Sequence, residues 1–343
     1  MLDADVLGRR RTGDETYTRG LLRELAAAAP ADLRLAAITR HPELVPDGIE
    51  PLHLAARSQT LRMAIGVPRL LRQVRPALVH FQHSLPLRCP RPAVLTVHDL
   101  SFERDPSVMG RRDRLVFRSV VPRSARRADR VLAVSELTKR DLVELYEIPE
   151  RKIVVTPNGV DPEFAPEGSS PNGEPYALFV GALQPRKQAE AAIEALALIG
   201  EQAPRLVLVG QDKGGRAAAE ETARRLGVEI ELRGHVPQDE LAALYRGAAC
   251  LVFPSRYEGF GLPVLEAMAS GTPVVATTAG ALPEVAGDAA ILVERDNPAA
   301  LAGGIERALA DHERLREAGL ERARRFTWAE TARRTLEVYR ALL

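Results

Sequence analysis

Residues 249–276 read ACLVFPSRYEGFGLPVLEAMASGTPVVA, and they indicate more about the fold than any other part of the chain. Its first apolar run, Ala249–Phe253, predicts a buried strand of a parallel sheet. A helix should begin near Leu262, because Pro263 in a first helical turn loses no hydrogen bond. A second apolar run begins at Val274, so the stretch predicts a strand, a crossover helix and the next parallel strand.

The loop between that strand and that helix carries the polar groups of a ligand site. Gly259 and Gly261 let the backbone approach a ligand closely. The free N–H groups and the dipole of the helix start favour an anion such as a phosphate. Glu258 and Glu266 could accept hydrogen bonds from two sets of sugar hydroxyls, with a diphosphate between them. A nucleotide-sugar site requires this layout.

The rest of the chain repeats the same alternation of short apolar runs and amphipathic helical stretches. This pattern is typical of a doubly wound α/β fold, and 343 residues suggest two domains. Residues 161–175 are rich in Pro, Gly and Ser and have no periodicity, which marks the best boundary. We therefore predict one domain over 1–165, a second over 172–326, and a terminal helical segment over 327–343.

Individual elements can be predicted for the first half of the chain. Ser135 is expected to act as N-cap of a helix that ends at Tyr146. Another helix is expected over Leu61–Val74. The strand candidates are Leu33–Thr39, Ala77–Gln82, Ala93–Val97, Arg130–Val134 and Ile153–Thr156.

Composition excludes several classes of protein. Hydrophobic content of 45% with 27% charged residues fits a globular chain, and a net charge of +1 does not indicate nucleic-acid binding. Cys89 and Cys250 are too few for a disulfide framework or a zinc site. No long apolar run and no signal peptide are present, so we expect a cytoplasmic protein. Arginines within 111–127 could contact anionic lipid at the inner membrane, or form solvated helix faces.

The stretch from Ser255 to Ala276 closely resembles the E-x7-E signature of retaining glycosyltransferases of family 4, the "glycosyl transferases group 1". Members of this family have the GT-B fold, with two Rossmann-like domains facing a central cleft. The resemblance runs from about residue 8 to the end of the chain. The alternative is an αβ unit whose two Glu residues are merely solvated.

The resemblance implies an enzyme that moves a hexose from a nucleotide diphosphate sugar to a glycan or lipid-linked acceptor. No metal and no cofactor is expected, and the anomeric configuration of the sugar should be retained. The motifs favour mannosyl transfer from GDP-mannose, as in bacterial polysaccharide assembly, with UDP-glucose and related donors close behind. Alternatives are another GT-B enzyme (a nucleotide-sugar epimerase or a glycan phosphorylase) or an inactive nucleotide-sugar-binding scaffold.

The resemblance also assigns roles to residues within 249–276. Glu266 should bond the ribose hydroxyls of the donor, and Glu258 should bond hydroxyls on its sugar ring. Backbone contacts to sugar and phosphate are expected from the loop and the helix start, at Gly259, Phe260, Gly261 and Leu262.

Residues 179–187, FVGALQPRK, resemble the family segment that neutralises the donor diphosphate. Lys187 matches the family lysine, and Gly181 matches the glycine beside the donor. Many members carry Arg where this chain has Ala182, and Arg186 could replace it. Fixed cations here would stabilise the negative charge that builds on the leaving nucleoside diphosphate.

Two further segments of the second domain match the family. Residues 233–238 resemble the loop that holds the nucleotide base, which makes Arg233 and Val236 candidate donor-binding residues. Residues 280–285 also match, and Glu284 is a candidate for a structural or donor-side role.

In the first domain, His98 follows the strand that ends at Val97. The carboxyl end of a strand in an α/β sheet is a position suited to function, although a lone His is more often structural. The family resemblance implies that His98 bonds a hydroxyl of the transferred sugar. Asp99 could orient the imidazole ring.

Residues 11–17, RTGDETY, resemble the family's Gly-rich loop. Gly13 is the candidate for donor contact, whereas Asp14 and Glu15 could equally be an ordinary helix cap. Glu15 or Tyr17 could also face the acceptor.

The chain has a short beginning compared with the family. Only the segment Met1–Gly8 is available for a first strand before the loop, so that strand is either short or begins upstream. Asp3 and Asp5 formally fit a D-x-D metal motif, but their place at the end of a first strand argues against that role. The resemblance implies that segment 327–343 packs back on the first domain.

Overall fold

The computed structural model describes residues 1–9, 13–56, 58–105, 110–171 and 173–343. The chain forms two compact units: unit 1 comprises Met1–Gly159 and Thr327–Leu343, and unit 2 comprises Val160–Phe326. Among the described residues, no helix is long and apolar enough to cross a bilayer.

Unit 1 is built on a parallel seven-stranded sheet. Its strands are β1 Leu2–Asp3, β2 Leu35–Thr39, β3 Ile49–His53, β4 Val79–Gln82, β5 Ala93–Val97, β6 Arg130–Ala133 and β7 Ile153–Val155. They lie in the order β3-β2-β1-β4-β5-β6-β7. Its helices are α1 Gly13–Ala28, α2 Gln59–Leu61, α3 Val67–Val74, α4 Ser101–Arg104, α5 Arg111–Arg127, α6 Glu136–Tyr146 and a terminal helix, Trp328–Arg340. A π-helical turn, Arg62–Gly66, joins α2 to α3.

The first strand is short but central. Leu2 pairs with Ala37 of β2 on one side and with His80 of β4 on the other. Asp3 ends this strand and is largely covered, Asp5 follows it and is buried, and arginines neutralise both carboxylates. Arg62, which is itself buried, donates to Asp3, and Nε of Arg40 lies 2.8 Å from Oδ1 of Asp5.

The terminal helix is seated in unit 1 through Trp328, which is 2% exposed. A Cβ on Gly20 of α1 would lie 2.3 Å from the indole ring, and a Cβ on Gly159 would lie 2.1 Å from the Trp328 nitrogen. Both positions therefore require glycine, because any larger residue would collide with Trp328. Thr327 caps the helix by accepting a hydrogen bond from Glu330 N.

Unit 2 is built on a second parallel sheet. Its strands are β8 Tyr176–Val180, β9 Arg205–Val209, β10 Ile230–Gly234, β11 Ala248–Phe253, β12 Val274–Thr277 and β13 Ile291–Val293. They lie in the order β10-β9-β8-β11-β12-β13. Its helices are α7 Ala189–Ile199, α8 Arg216–Leu226, α9 Gln238–Gly247, α10 Leu262–Ala269, α11 Leu282–Ala286, α12 Pro298–Ala310 and α13 His312–Ala323. Each unit is thus a Rossmann-like domain, as the alternation of elements predicts.

The division between the units falls after Gly159, before the Pro- and Gly-rich segment rather than within it. Part of that segment belongs to unit 2 through its contacts. Phe164 is buried with its ring 5.7 Å from that of Tyr245, and the Arg246 guanidinium donates to the carbonyl of Ser169. Composition shows where regular secondary structure stops, but it does not show such tertiary contacts.

Candidate active site

The carboxyl edge of the unit 2 sheet is lined by glycines. Gly181 follows β8, Gly210 follows β9, and Gly234 ends β10. A Cβ on Gly210 would lie 1.9 Å from the Gly181 oxygen, and Gly210 N donates to Gly234 O. These chain segments touch backbone to backbone, which requires glycine, and the carboxyl edge of an α/β sheet is where ligands commonly bind.

Three predicted site residues meet beside this edge. Nζ of Lys187 lies 2.6 Å from Oε1 of Glu258, and Nη1 of Arg186 lies 3.3 Å from the same oxygen. The three side chains are each only 10–14% exposed. Lys187 also stacks over the ring of Phe253, with its Nζ 4.8 Å from the ring centroid. The structure therefore forms one buried cluster of two cations and one carboxylate, which we call the cation cluster.

Burial alone would raise the pKa of Glu258, but Lys187 and Arg186 outweigh burial and lower that pKa below its usual value. Glu258 is therefore ionised at neutral pH. The sequence assigned the two cations to the diphosphate and the carboxylate to the sugar, and in the structure they bind each other. Their roles toward a donor stay predictions.

The backbone of Glu258 is held by a glycine that the sequence did not single out. Gly280 has φ +59°, and a Cβ there would lie 2.2 Å from Glu258 O and 2.7 Å from Glu258 N. The next residue, Ala281, donates its N–H to Glu258 O at 2.9 Å. Gly280 begins the family-like segment 280–285, in which Glu284 was the predicted site residue; the backbone carbonyl of Glu284 accepts from Arg322.

The start of α10 also requires a glycine. Gly261 directly precedes the helix with φ +102°, and a Cβ there would lie 2.5 Å from Cδ2 of Leu282. Its neighbours Gly259 and Phe260 are buried, and Leu262 begins the helix. Donor contacts from these four residues remain predictions.

Glu266 lies one turn into α10 and has a buried partner. The hydroxyl of Tyr245 on α9 donates to Oε2 of Glu266 at 2.9 Å. Burial, followed by the Glu266 charge, raises the pKa of Tyr245 well above its usual value, so the phenol stays a donor. Sequence reasoning missed Tyr245. The available signal was a tyrosine on the buried face of a helix, because a buried phenol usually requires a polar partner.

The two residues predicted near the nucleotide base have other contacts. Nε of Arg233 lies 2.6 Å from Glu231 and its Nη1 lies 3.2 Å from Glu240. Val236 is 7% exposed. Glu231 and Glu240 thus balance the charge of Arg233 within unit 2. The backbone contact between this loop and a nucleotide base stays a prediction.

In unit 1, His98 is oriented by a different residue from the one expected. Its Nε2 lies 2.7 Å from Oε1 of Gln82, at the end of β4. Asp99 instead accepts from the backbone N and the hydroxyl of Ser101, at 3.0 and 2.8 Å. The prediction that Asp99 orients the ring is therefore wrong, because its carboxylate closes the turn into α4. Burial lowers the pKa of His98 to about 4.

Two further titratable side chains, Asp14 and His83, lie near His98. Oδ1 of Asp14 lies 4.0 Å from its Nε2, and the ring of His83 lies 5.1 Å from its ring. Asp14, His83 and His98 each offer one ligand atom, and these atoms lie within 4.8 Å of one another. One nitrogen of His98 already faces Gln82, so the set does not present three uncommitted ligands.

The predicted acceptor roles of Glu15 and Tyr17 are wrong. Glu15 is 1% exposed and accepts from Gly8 N and from the Arg19 guanidinium, so its carboxylate ties the loop to α1. The Tyr17 hydroxyl bonds Thr96 inside the unit. Gly13 begins α1 and is exposed, while residues 11 and 12 of the predicted loop lie outside the described residues.

The family "Glycosyl transferases group 1" matches residues 160–326, and "Glycosyltransferase Family 4" matches residues 11–164. O-antigen chain mannosyltransferase B of Escherichia coli is 30% identical over 277 residues, covering 75% of this chain and 72% of that relative. The chain belongs to the group 1, family 4 glycosyltransferases. The family resemblance of the sequence and its assignment as an enzyme are thereby confirmed.

Two further comparisons place this glycosyltransferase among its relatives. A D-inositol 3-phosphate glycosyltransferase of Nocardia farcinica is 33% identical over 241 residues, which cover 63% of this chain and 53% of that relative. HepE of Anabaena, solved in complex with UDP-glucose, aligns with a TM-score of 0.77 at 17% identity, covering 99% of each chain. The structural likeness confirms the GT-B fold.

Proposed function

We propose that this glycosyltransferase moves a hexose, with mannose favoured, from a nucleotide diphosphate sugar to a glycan or lipid-linked acceptor. The observation that carries this proposal is the buried cation cluster beside the glycine-lined edge of unit 2. A nucleoside diphosphate leaves with growing negative charge, and Lys187 with Arg186 supplies fixed positive charge in a site of low dielectric.

Mannose is favoured because the E. coli relative is named as a mannosyltransferase. HepE was solved with UDP-glucose, which supports another donor, and the name of the Nocardia relative gives an inositol phosphate without naming a donor. A donor assay decides between them.

The proposed chemistry requires no nucleophilic side chain. The bond between the anomeric carbon and the phosphate oxygen breaks while the acceptor oxygen bonds the same face of that carbon. This same-face attack makes the reaction retaining, and the acceptor proton passes to the leaving phosphate. Glu258 binds hydroxyls of the sugar ring, Glu266 binds the ribose, and His98 binds a further sugar hydroxyl. We also propose that neither a metal nor a cofactor takes part.

The test is release of nucleoside diphosphate from GDP-mannose, UDP-glucose and UDP-N-acetylglucosamine, with and without pooled lipid-linked and soluble acceptors. Release from one donor that rises with acceptor supports the transferase and names the donor. Turnover without acceptor points to an epimerase or a hydrolase instead. Binding of a donor with no release from any of them points to an inactive scaffold.

Retention is tested on the product of the active donor. The anomeric configuration of the new linkage is read by NMR from the coupling between the first two ring protons or from the one-bond carbon–proton coupling. The configuration of the donor is expected to persist. An inverted linkage would contradict the same-face mechanism.

We further propose peripheral contact with anionic lipid through α5, consistent with a cytoplasmic protein at the inner membrane. Leu115 and Val116 on this helix are 69% and 52% exposed, and exposed Arg112 and Arg123 share their face at helical spacing. Apolar side chains flanked by arginine suit an anionic bilayer surface.

Vesicle co-sedimentation tests this contact. Vesicles with phosphatidylglycerol should retain the wild-type protein more than pure phosphatidylcholine vesicles do. The double variant Leu115→Ser, Val116→Ser should lose that preference, whereas Leu198→Ser, which alters a leucine of unit 2 that is 62% exposed, should keep it. Equal sedimentation of the double variant and the wild type would contradict the proposal.

A further inference from the structure

A chain of hydrogen bonds begins at a backbone carbonyl and ends on His98. The hydroxyl of Thr18 donates to the carbonyl oxygen of Asp14 at 2.8 Å, and a carbonyl can only accept. Because its one hydrogen is used there, the Thr18 oxygen is left as an acceptor. It receives a hydrogen from Nε2 of Gln82, also at 2.8 Å. The orientation of the Gln82 amide follows from this, with its Oε1 toward His98.

The orientation of that amide determines where His98 carries its proton. Oε1 of Gln82 lies 2.7 Å from Nε2 of His98 and can only accept, so Nε2 is the donor. A neutral imidazole has a single N–H, which leaves Nδ1 with a lone pair. Among the described residues, Nδ1 of His98 has no hydrogen-bond partner.

We propose that Gln82 and Thr18 are positioning residues that hold His98 in the tautomer protonated on Nε2, so that Nδ1 accepts a hydrogen bond from a substrate hydroxyl. The tautomer itself follows from contacts within unit 1. Only the identity of the hydroxyl, on the transferred sugar, rests on the proposed function.

The groups around the ring are compatible with a neutral His98 near pH 7. Asp14 on α1 and Asp99 favour the charged ring, whereas burial and His83 disfavour it, and burial is the largest effect. The ring of Tyr17 packs edge-on at 4.7 Å. An imidazolium would have no lone pair on Nδ1 and could not accept the hydroxyl.

The tautomer can be measured on the full chain without any substrate. Long-range ¹H–¹⁵N spectra of protein labelled at histidine distinguish a protonated from an unprotonated ring nitrogen, and loss of one signal set in His98→Asn assigns the ring. We expect Nε2 protonated and Nδ1 unprotonated at about pH 7, because Oε1 of Gln82 accepts from Nε2 and burial disfavours a second proton on the ring. Protonation at Nδ1, or at both nitrogens, would overturn the proposal.

Variants of Gln82 test whether this residue imposes the tautomer. Gln82→Met keeps the size of the side chain but removes both hydrogen bonds, and the His98 signals should shift toward a mixture of tautomers. Thr18→Val should produce a smaller shift of the same kind, because the amide is then free to turn over. Tyr339→Phe is the control, since it removes a buried 2.6 Å bond to His80 elsewhere in unit 1. Signals of His98 unchanged in Gln82→Met would refute the role.

Gln82→Glu provides a kinetic readout that a merely structural role would not change. A carboxylate facing Nε2 stabilises the imidazolium and raises the His98 pKa. As the pH is lowered toward 5, the rate of transfer by this variant should fall about tenfold more than the rate of the wild type. That factor is the effect expected for losing one hydrogen bond, the one that Nδ1 accepts from the substrate hydroxyl. A parallel pH profile for the two proteins would contradict the proposal.

The two parts of the inference can fail separately. If no donor is turned over, the NMR result still decides the tautomer. If transfer occurs, donors carrying deoxy or deoxyfluoro groups locate the hydroxyl, because neither hydrogen nor fluorine at that carbon can donate to Nδ1. One position should lose about tenfold in kcat/KM in the wild type and little in His98→Ala. Equal losses in both proteins would exclude His98 as the acceptor.

Discussion

Nζ of Lys187 lies 2.6 Å from Oε1 of Glu258, and both side chains are 10% exposed. The pair holds opposite charges in a site of low dielectric, where each is costly without the other. A donor bearing a diphosphate and sugar hydroxyls offers alternative partners to both ions. We infer that donor binding exchanges an internal ion pair for ligand contacts.

Replacement of Lys187 should reduce turnover more than donor affinity. Charge on the leaving diphosphate peaks late in the reaction, so Lys187→Ala is expected to lower kcat by roughly a hundredfold or more while the Kd for the donor rises less. Steady-state kinetics and calorimetric titration measure the two effects. Lys139→Ala, which removes a surface ion pair with Glu150 in unit 1, is the control and should change neither.

Equal losses in kcat and affinity would instead show that Lys187 only binds the donor. Arg186 complicates the comparison, because it also faces Glu258 at 3.3 Å. The double variant Lys187→Ala, Arg186→Ala therefore completes the experiment, and we expect its loss of turnover to exceed that of either single change.

Glu266 and Tyr245 should act together on the nucleotide. Glu266→Ala is expected to weaken binding of free nucleoside diphosphate by roughly 1.5–3 kcal/mol, the value of a hydrogen bond to a charged group. Tyr245→Phe leaves the carboxylate but removes the 2.9 Å bond that orients it, so a smaller loss is expected. Titration of the free nucleotide measures both. Affinity unchanged in Glu266→Ala would remove this residue from the donor site.

Much of the secondary structure follows from local pattern. The helix start at Ser135 is observed as predicted, with its hydroxyl accepting from Thr138 N at 3.1 Å, because capping depends on neighbouring residues alone. The strand Ile49–His53 was missed. It contains Pro51 and lies at the edge of the sheet, where a proline is tolerated and the usual apolar run is absent. The predicted helix Leu61–Val74 is interrupted by a π-helical turn.

The partners of the site residues could not be predicted in the same way. Lys187 and Glu258 are 71 residues apart, and His98 and Gln82 are 16 apart on different elements. No periodicity encodes such pairs, since they depend on which strands end side by side. The resemblance identified the residues, but the nearest carboxylate in sequence, Asp99, was the wrong partner for His98.

The ionised Glu258 should contribute to the free energy of unfolding near neutral pH and lose that contribution in acid. Its pKa is lower in the folded than in the unfolded chain, so its contribution to the free energy of unfolding is present above about pH 4.3, the unfolded value. The contribution disappears as the pH falls through the folded pKa. Denaturant unfolding of wild type and Glu258→Gln should differ near neutral pH and converge in acid. A difference that is constant with pH would contradict the assignment.

Transfer should persist without divalent cations. The cation cluster already supplies positive charge for the leaving group, so activity after dialysis against EDTA is expected to stay within about twofold of the untreated enzyme. The same assay with added Zn²⁺ tests the group of Asp14, His83 and His98. A loss on chelation that a divalent cation restores would contradict the proposal of a metal-independent enzyme.

Gly280 should be more sensitive to substitution than its position in a loop suggests. Gly280→Ala places a Cβ 2.2 Å from the carbonyl oxygen of Glu258 in a backbone conformation, φ +59°, that L-residues rarely adopt. We expect a loss of roughly 2 kcal/mol or more in the free energy of unfolding, because strain and displacement of the Glu258 backbone add together. Turnover should fall with it, since the carboxylate moves relative to Lys187.

Gly303→Ala in α12 is the matched control. A Cβ there meets no atom within 4 Å among the described residues, and alanine favours helix, so that variant should be slightly more stable and fully active. Chemical denaturation and the donor assay measure both variants, and a Gly280→Ala enzyme as stable and active as the wild type would show that this glycine does not seat Glu258.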